Sequence, residues 1–300
     1  MPVREPVDQV GDAQIPPESK KSLKKVDLPV EDYASSHKPQ WNYSLSILDC
    51  SWASFSKVSD ASQQFLDVGC GPGDFTREVL LPRCQPCRRI VGIDCSQEMI
   101  EYAQRHSAGE RIEFRQLDIC SDVSGFLQEF GRFDRIYSFF CLNWAVDLTA
   151  ALRNIAQLLT PNGECLLVYC ASVETADVWR GLANMDRWAK YSEVLLKFIP
   201  DTQDMKDTRE MMSFMSRILL EAGLHPSILE VPQSTVIHGW NEDDMLAAYL
   251  AVLPIAKMVS PEEKSELASA VRDQVRAVHG PNADKERYRN FVIKASRRES

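Results

Sequence analysis

Short apolar runs alternate with amphipathic stretches through the middle of the chain. The runs are Phe65-Leu66-Asp67-Val68, Arg89–Asp94, Ile112–Gln116, Phe133–Phe140 and Glu164–Tyr169. Between them apolar residues recur at helical spacing over Phe75–Leu81, Gln97–Gln104, the region near Val123–Phe130, and Ala150–Leu159. The last stretch is stopped by Thr160-Pro161-Asn162-Gly163, a turn signal. Such alternation predicts an α/β fold with a mostly parallel sheet and helices on both faces. A sixth strand is expected over His225–Val231 and a seventh, antiparallel to the rest, over Tyr288–Ala295. A further helix, Asn42–Phe55, precedes the first strand.

The first run ends in Asp67-Val68-Gly69-Cys70-Gly71-Pro72-Gly73-Asp74. Glycine tolerates positive φ and lets a ligand approach the backbone. Between a strand and a helix, such a loop presents N–H groups to a nucleotide-like ligand. The third glycine comes one residue earlier than in the dinucleotide fingerprint. The order Asp-x-Gly-x-Gly-x-Gly resembles the first motif of class I methyltransferases that use S-adenosylmethionine.

Acids close the next two strands. Asp94 lies 21 residues beyond Gly73, where folds of this kind put the acceptor for ribose hydroxyls. It could also cap the following helix, as could Ser96. Asp118, just after the third strand, fits an acceptor for the adenine amine, or a cap for the helix near Val123. Asp67, Asp94, Asp118 and Trp144 are all expected beyond the carboxyl ends of the strands, where ligands bind in such sheets.

The 300 residues allow one large or two small domains. Two stretches exceed a minimal core, about 174–207 and 239–284. Both have helical apolar faces, with Val178, Trp179, Leu182, Trp188 and Phe198 in the first and Met245, Tyr249 and Leu253 in the second. They are expected to cap one end of the sheet, within a single domain over 29–300. Residues 1–28, which carry Lys20, Lys21, Lys24 and Lys25, read as a disordered tail.

The net charge of −9 argues against a nucleic-acid footprint. There is no apolar leader and no membrane-length apolar run in the sequence. Nine cysteines, several in expected buried strands, fit a reducing, cytoplasmic setting. Cys84-Gln85-Pro86-Cys87 has no second pair at ligand spacing, so no metal is expected. The oligomeric state stays open.

Methyl transfer from a sulfonium requires nucleophile, methyl carbon and sulfur held nearly in line. A carboxylate nucleophile is already ionised at neutral pH and needs no base. Neutral donors suit it, and two stand at the right places. Trp144 follows strand four, and Gln40 precedes the first helix. Each could instead be structural, Trp144 as a rim aromatic and Gln40 at a solvated helix start.

The chain resembles the insect juvenile hormone acid methyltransferases and related arthropod farnesoic acid methyltransferases. The resemblance rests on the glycine motif Asp67–Asp74, on Ser138-Phe139-Phe140-Cys141-Leu142-Asn143-Trp144, and on the Tyr33-to-Gln40 segment. It departs at Asn143, where a His is common, and at His37-Lys38-Pro39-Gln40, where the family has Asn-x-x-Gln. It implies a Rossmann-like class I methyltransferase sheet with a helical cap, S-adenosyl-L-methionine as cofactor, and a small apolar carboxylic acid as acceptor. It implies that Gln40 and Trp144 hold the acceptor carboxylate. The cofactor-binding set expected with it is Asp67, Gly69, Cys70, Gly71, Gly73, Asp94, Cys95, Asp118, Ile119 and Ser138. Microbial trans-aconitate methyltransferases share the general pattern. Arg180, Arg187 and Lys190 would be available to a polyacid. A catalytically silent cofactor-binding subunit would carry the same glycine and acid positions.

Overall fold

The computed structural model describes residues 30, 38–237, 241–280 and 285–297. The expected tail over 1–28 and the segment 33–37 lie outside the described residues.

Strand β1 (Gln64–Val68) is buried at every position, because helices cover both faces of the sheet. That is why its sequence is a run rather than an alternation. It pairs in parallel with β2 (Arg89–Asp94) on one side and β4 (Phe133–Phe139) on the other. Beyond them lie β3 (Ile112–Gln116) and β5 (Leu159–Val173), also parallel. The edge past β5 is antiparallel. β8 (Lys285–Arg297) pairs with β5, and β6 (Leu224–Glu230) and β7 (Gln233–Ile237) both pair with β8. The order is β3-β2-β1-β4-β5-β8-β6. The order reverses next to β1, and a crevice opens there at the carboxyl ends of the strands.

One face of the sheet is covered by α1 (Lys38–Trp52), a π-helical turn Thr76–Leu80 running into α2 (Leu81–Cys84), and α3 (Gln97–His106). The other is covered by α4 (Ser124–Phe130), α5 (Leu148–Leu158) and α8 (Thr208–Glu221). A third apolar cluster is built from α6 (Glu174–Ala183), α7 (Ser192–Lys197), α9 (Glu242–Ala251) and α10 (Lys264–His279). α6 follows the carboxyl end of β5 directly, and β8 begins at that same end. The cluster therefore sits above the crevice end of the sheet.

The mostly parallel sheet with an antiparallel last strand agrees with the alternation in the sequence. Some elements differ in extent. α1 begins at Lys38 although Pro39 follows, because proline fits the first helical turn, where no N–H is needed. β5 starts at Leu159, so it absorbs the Thr160–Gly163 turn. β7 and α8 were not anticipated. β6 and β7 are one edge broken at Val231-Pro232: Pro232 has no N–H to donate, but its carbonyl still accepts from Asn290 N–H at 3.3 Å.

Candidate active site

The glycine loop leaves β1 with Gly69 at φ +80° and Gly71 at +53°. Ile93 carbonyl accepts the N–H of both Gly69 (2.7 Å) and Cys70 (3.0 Å), which folds the loop back onto β2. A Cβ on Gly69 would stand 2.1 Å from the Cys141 Cβ, so the strand-four turn and the loop touch only because this residue has no side chain. Gly73 has the same need on the far side, where a Cβ would stand 2.6 Å from the Phe114 ring.

Asp94 joins the loop to the next helix. One carboxylate oxygen accepts Gly71 N–H at 3.1 Å and the other accepts Ser96 N–H at 2.8 Å. Ser96 is the residue that caps α3, accepting from Met99 N–H. Asp94 therefore stands free of the capping role and faces the crevice. Asp118 makes a comparable turn, its carboxylate accepting Cys120 N–H at 2.9 Å. It does not cap α4, whose N-cap is Val123.

Two adjoining clefts open at this end. The larger, about 910 Å³ and open to solvent, is lined by Gly69, Gly71, Asp94, Cys95, Asp118, Ile119 and Trp144 among others. The smaller, about 450 Å³, is lined by Gln40, Trp41, Asp67, Cys70, Phe75 and neighbours. Gly69, Gly71, Phe139 and Phe140 border both. Two anticipated residues line neither. Gly73 packs on Phe114, and Ser138 is wholly buried, donating to Val68 carbonyl at 3.0 Å behind the loop. Phe139 and Phe140 were not anticipated as site residues. Phe140 has φ +57°, an uncommon conformation for a bulky residue, and nothing in a sequence announces it.

Asp67 is buried and accepts the Thr76 hydroxyl at 2.6 Å. Burial pushes its carboxyl up to about 7, the Thr76 bond opposes this, and the nearby Asp94 and Asp74 charges add to it. The residue ties the end of β1 to the π-turn and keeps the glycine loop in place. Burial also pushes the Cys141 and Cys70 thiols up, with Asp94 adding to both, so these thiols beside the cleft stay protonated. Cys84 and Cys87 are buried, with Cys84 Sγ 3.6 Å from the Tyr137 hydroxyl.

Trp144 closes a 3₁₀ turn, Leu142–Trp144, directly after β4. Asn143 fixes that turn to β5: its side-chain oxygen accepts Cys170 N–H at 2.7 Å. The Trp144 ring is half-buried and packs against the cluster above the sheet, 5.9 Å from Trp179 and 5.5 Å from Phe198 between centroids. Gln40 lies in the first turn of α1 and reaches the neighbouring cleft. The structure thus brings the two anticipated acceptor donors to adjoining clefts that share a wall.

A family model for a methyltransferase domain matches residues 59–219, more than half of the chain. Juvenile hormone acid O-methyltransferase of Bombyx mori is 31% identical over 200 residues, covering 66% of this chain and 68% of that protein. The Drosophila melanogaster protein of the same name is 35% identical over 170 residues, covering 56% and 57%. The chain belongs to the juvenile hormone acid methyltransferase family. Trans-aconitate 2-methyltransferase of an Enterobacter strain is 38% identical over 104 residues, only 35% of this chain. Among solved structures, a proposed methyltransferase of Bacillus halodurans matches with a TM-score of 0.52 at 14% identity, over 85% of this chain and 99% of that one.

The protein is thus a class I methyltransferase, and its cofactor is S-adenosyl-L-methionine. The larger cleft suits that group. It has a glycine backbone at one end, two carboxylates in Asp94 and Asp118, and the apolar side chains Met99, Leu117 and Ile119 along its wall. Among the described residues no three His, Cys, Asp or Glu side chains converge as metal ligands would. No helix among them is long and apolar enough to cross a membrane.

Proposed function

We propose that this methyltransferase esterifies a long apolar carboxylic acid of the sesquiterpenoid type, such as farnesoic or juvenile hormone acid. The observation that carries the reading is the state of the cations above the sheet. Arg180 forms a two-pronged pair with Asp204 at 2.7 and 2.6 Å. Arg187 is held by Glu263 and Glu266, and Lys190 by Glu263. All three point to the outer surface, and neither described cleft is lined by Lys or Arg. A polyacid would need cations at the acceptor end. What stands there instead is Trp144 against an apolar cluster.

When bound, S-adenosyl-L-methionine supplies an electrophilic methyl group on a positively charged sulfur. In this reading the backbone of Gly69 and Gly71 borders the methionine end of the cleft. Asp94 accepts from the ribose hydroxyls, and Asp118 accepts from the adenine amine. Cys95 and Ile119 complete that wall. Trp144 and Gln40 donate neutral hydrogen bonds to the acceptor carboxylate, orienting one oxygen without quenching its nucleophilicity. Most of the acceleration then comes from holding the reactants in line, because the carboxylate is ionised near neutral pH and needs no base.

The test is a panel of acids offered with a methyl-labelled cofactor, the products read by mass. Methyl farnesoate should form, and affinity should climb with chain length by roughly 0.8 kcal/mol per buried CH₂. Aconitate turning over better than farnesoic acid would favour the polyacid reading. Tight cofactor binding with no ester from any acid would favour a silent subunit.

A further inference from the structure

We propose that the indole N–H of Trp179 is a further hydrogen-bond donor to the acceptor's carboxylate, acting beside Trp144. This rests on the carboxyl-methylation reading above. Trp179 is 5% exposed, and its Nε1 is buried with no hydrogen-bond partner. Buried tryptophan nitrogens ordinarily find an acceptor, and a buried donor left without one is costly to the folded state. Val178, Leu182, Leu195 and Phe198 in its cluster have no acceptor to offer, and the cluster's Tyr191 and Tyr249 hydroxyls are bonded elsewhere, to the Met258 carbonyl and to His279.

The topology gives the orphan donor its meaning. Trp144 follows β4 and Trp179 lies on α6, which follows β5. β4 and β5 are parallel neighbours; Phe139 at the carboxyl end of β4 lies opposite Val168, and β5 runs on to Val173. Trp179 is five residues into α6, about 8 Å along the helix axis above the end of the strand. The two indoles therefore follow neighbouring strands at the same end of the sheet and meet at 5.9 Å, tilted by 39°. Trp144 lines the cofactor cleft, so an acid entering from the cleft meets Trp144 first and Trp179 behind it.

The chemistry of an occupant follows from these surroundings. It must accept a hydrogen bond, and it must carry apolar bulk to suit the cluster. A carboxylate on a hydrocarbon chain does both, and a charged acceptor makes the stronger bond. An internal water is a poorer fit, because it needs two to four polar partners. The other buried orphans, on Tyr43, Thr160 and Asn290, lie outside this cluster.

The experiment uses the full chain with S-adenosylhomocysteine and farnesoic acid as probes. Trp179→Phe deletes the N–H and keeps most of the ring. Without acid its melting temperature should equal or exceed wild type, since an unpaired donor has been removed. The rise in melting temperature caused by farnesoic acid should shrink. In turnover with labelled methyl donor, KM for the acid should rise about tenfold or more, as for a lost hydrogen bond to a charged group. Cofactor affinity should not change. Trp179→His keeps a ring N–H and should recover part of the affinity; it also serves if the Phe variant folds poorly. A folded Trp179→Phe protein with wild-type KM and an undiminished acid-induced shift overturns the proposal, and so does a lack of recovery in a folded His variant. If Trp144→Phe is impaired while Trp179→Phe is not, the carboxyl-methylation reading stands and this inference falls. If wild-type protein gives neither a shift nor an ester with any acid, both fall.

Discussion

The Asp94 carboxylate accepts the backbone N–H of Gly71 at 3.1 Å, so the acid that ends β2 holds the loop that ends β1. One side chain thereby shapes the loop and lines the larger cleft. Asp94→Ala should weaken cofactor binding by about 1.5–3 kcal/mol, the scale of a hydrogen bond to a charged group. Isothermal calorimetry on the folded variant checks it, and unchanged affinity would remove Asp94 from the binding set. Asp94→Asn keeps an acceptor toward Gly71 and should lose less.

Asp67 makes a different prediction, about stability. Its carboxyl is pushed up to about 7 by burial, while in the unfolded chain it sits near the ordinary value of about 3.9. The folded state therefore holds the proton more tightly. This group's contribution is fully present below about pH 4 and is lost as pH rises toward 7. Asp67→Asn keeps an acceptor for the Thr76 hydroxyl and abolishes the titration. Urea melts from pH 4 to 8 should show the variant gaining on wild type as pH rises, by up to a few kcal/mol. Parallel stability curves for the two proteins would mean that Asp67 titrates normally.

The sheet was legible because its parallel strands are short apolar runs separated by helical periodicity, and the crevice lining because acids and glycines mark the strand ends. The antiparallel edge was less so. β7 hides behind Pro232, and α8 was not anticipated although Met211, Met215, Ile218 and Leu219 recur at helical spacing. In the site, Gly73 and Ser138 belong to the motif but serve packing, a distinction that depends on Phe114 and on the Val68 carbonyl, both remote from them in sequence or hidden in pairing. Phe139 and Phe140 look like strand residues until the chain turns at Phe140. The unpaired nitrogen of Trp179 depends on everything packed around it, and no local pattern carries it.

At the opposite end of the sheet, Lys294 on β8 pairs with Glu164 on β5 at 2.8 Å, and both are buried. Lys294 also donates to the Ser54 carbonyl, and Glu164 accepts the N–H and hydroxyl of Ser56 at 2.8 Å. Together they fasten the chain after α1, and with it the far end of the helix that carries Gln40. Burial raises the Glu164 carboxyl, but the hydrogen bonds from Lys294 and Ser56 outweigh it and hold it below its ordinary value. Its contribution is thus present above the unfolded pKa and is lost as pH falls through the folded one. Lys294→Met strands the carboxylate and should cost about 3–5 kcal/mol at neutral pH. Lys294→Met with Glu164→Gln should cost less than Lys294→Met alone. Equal losses in chemical denaturation would mean that the pair is not coupled.

The last prediction concerns the acceptor clamp. Gln40 and Trp144 reach adjoining clefts that share Gly69, Gly71, Phe139 and Phe140, so one carboxylate at the shared wall can be held by both. Gln40→Ala and Trp144→Phe remove one donor each and leave the Asp94 end intact. Each should lower turnover by more than about tenfold, since roughly 1.4 kcal/mol of barrier is a factor of ten. Cofactor affinity should stay near wild type in both. The combined loss should be smaller than the sum, because groups acting on one carboxylate are coupled. Fully additive losses would put the two donors on different atoms of the acceptor, with Trp144 on the carboxylate and Gln40 elsewhere in its own cleft. Full activity in both variants would move the clamp away from these residues altogether, and a chain-length series on the double variant would then show whether the apolar part of the acceptor still binds as before.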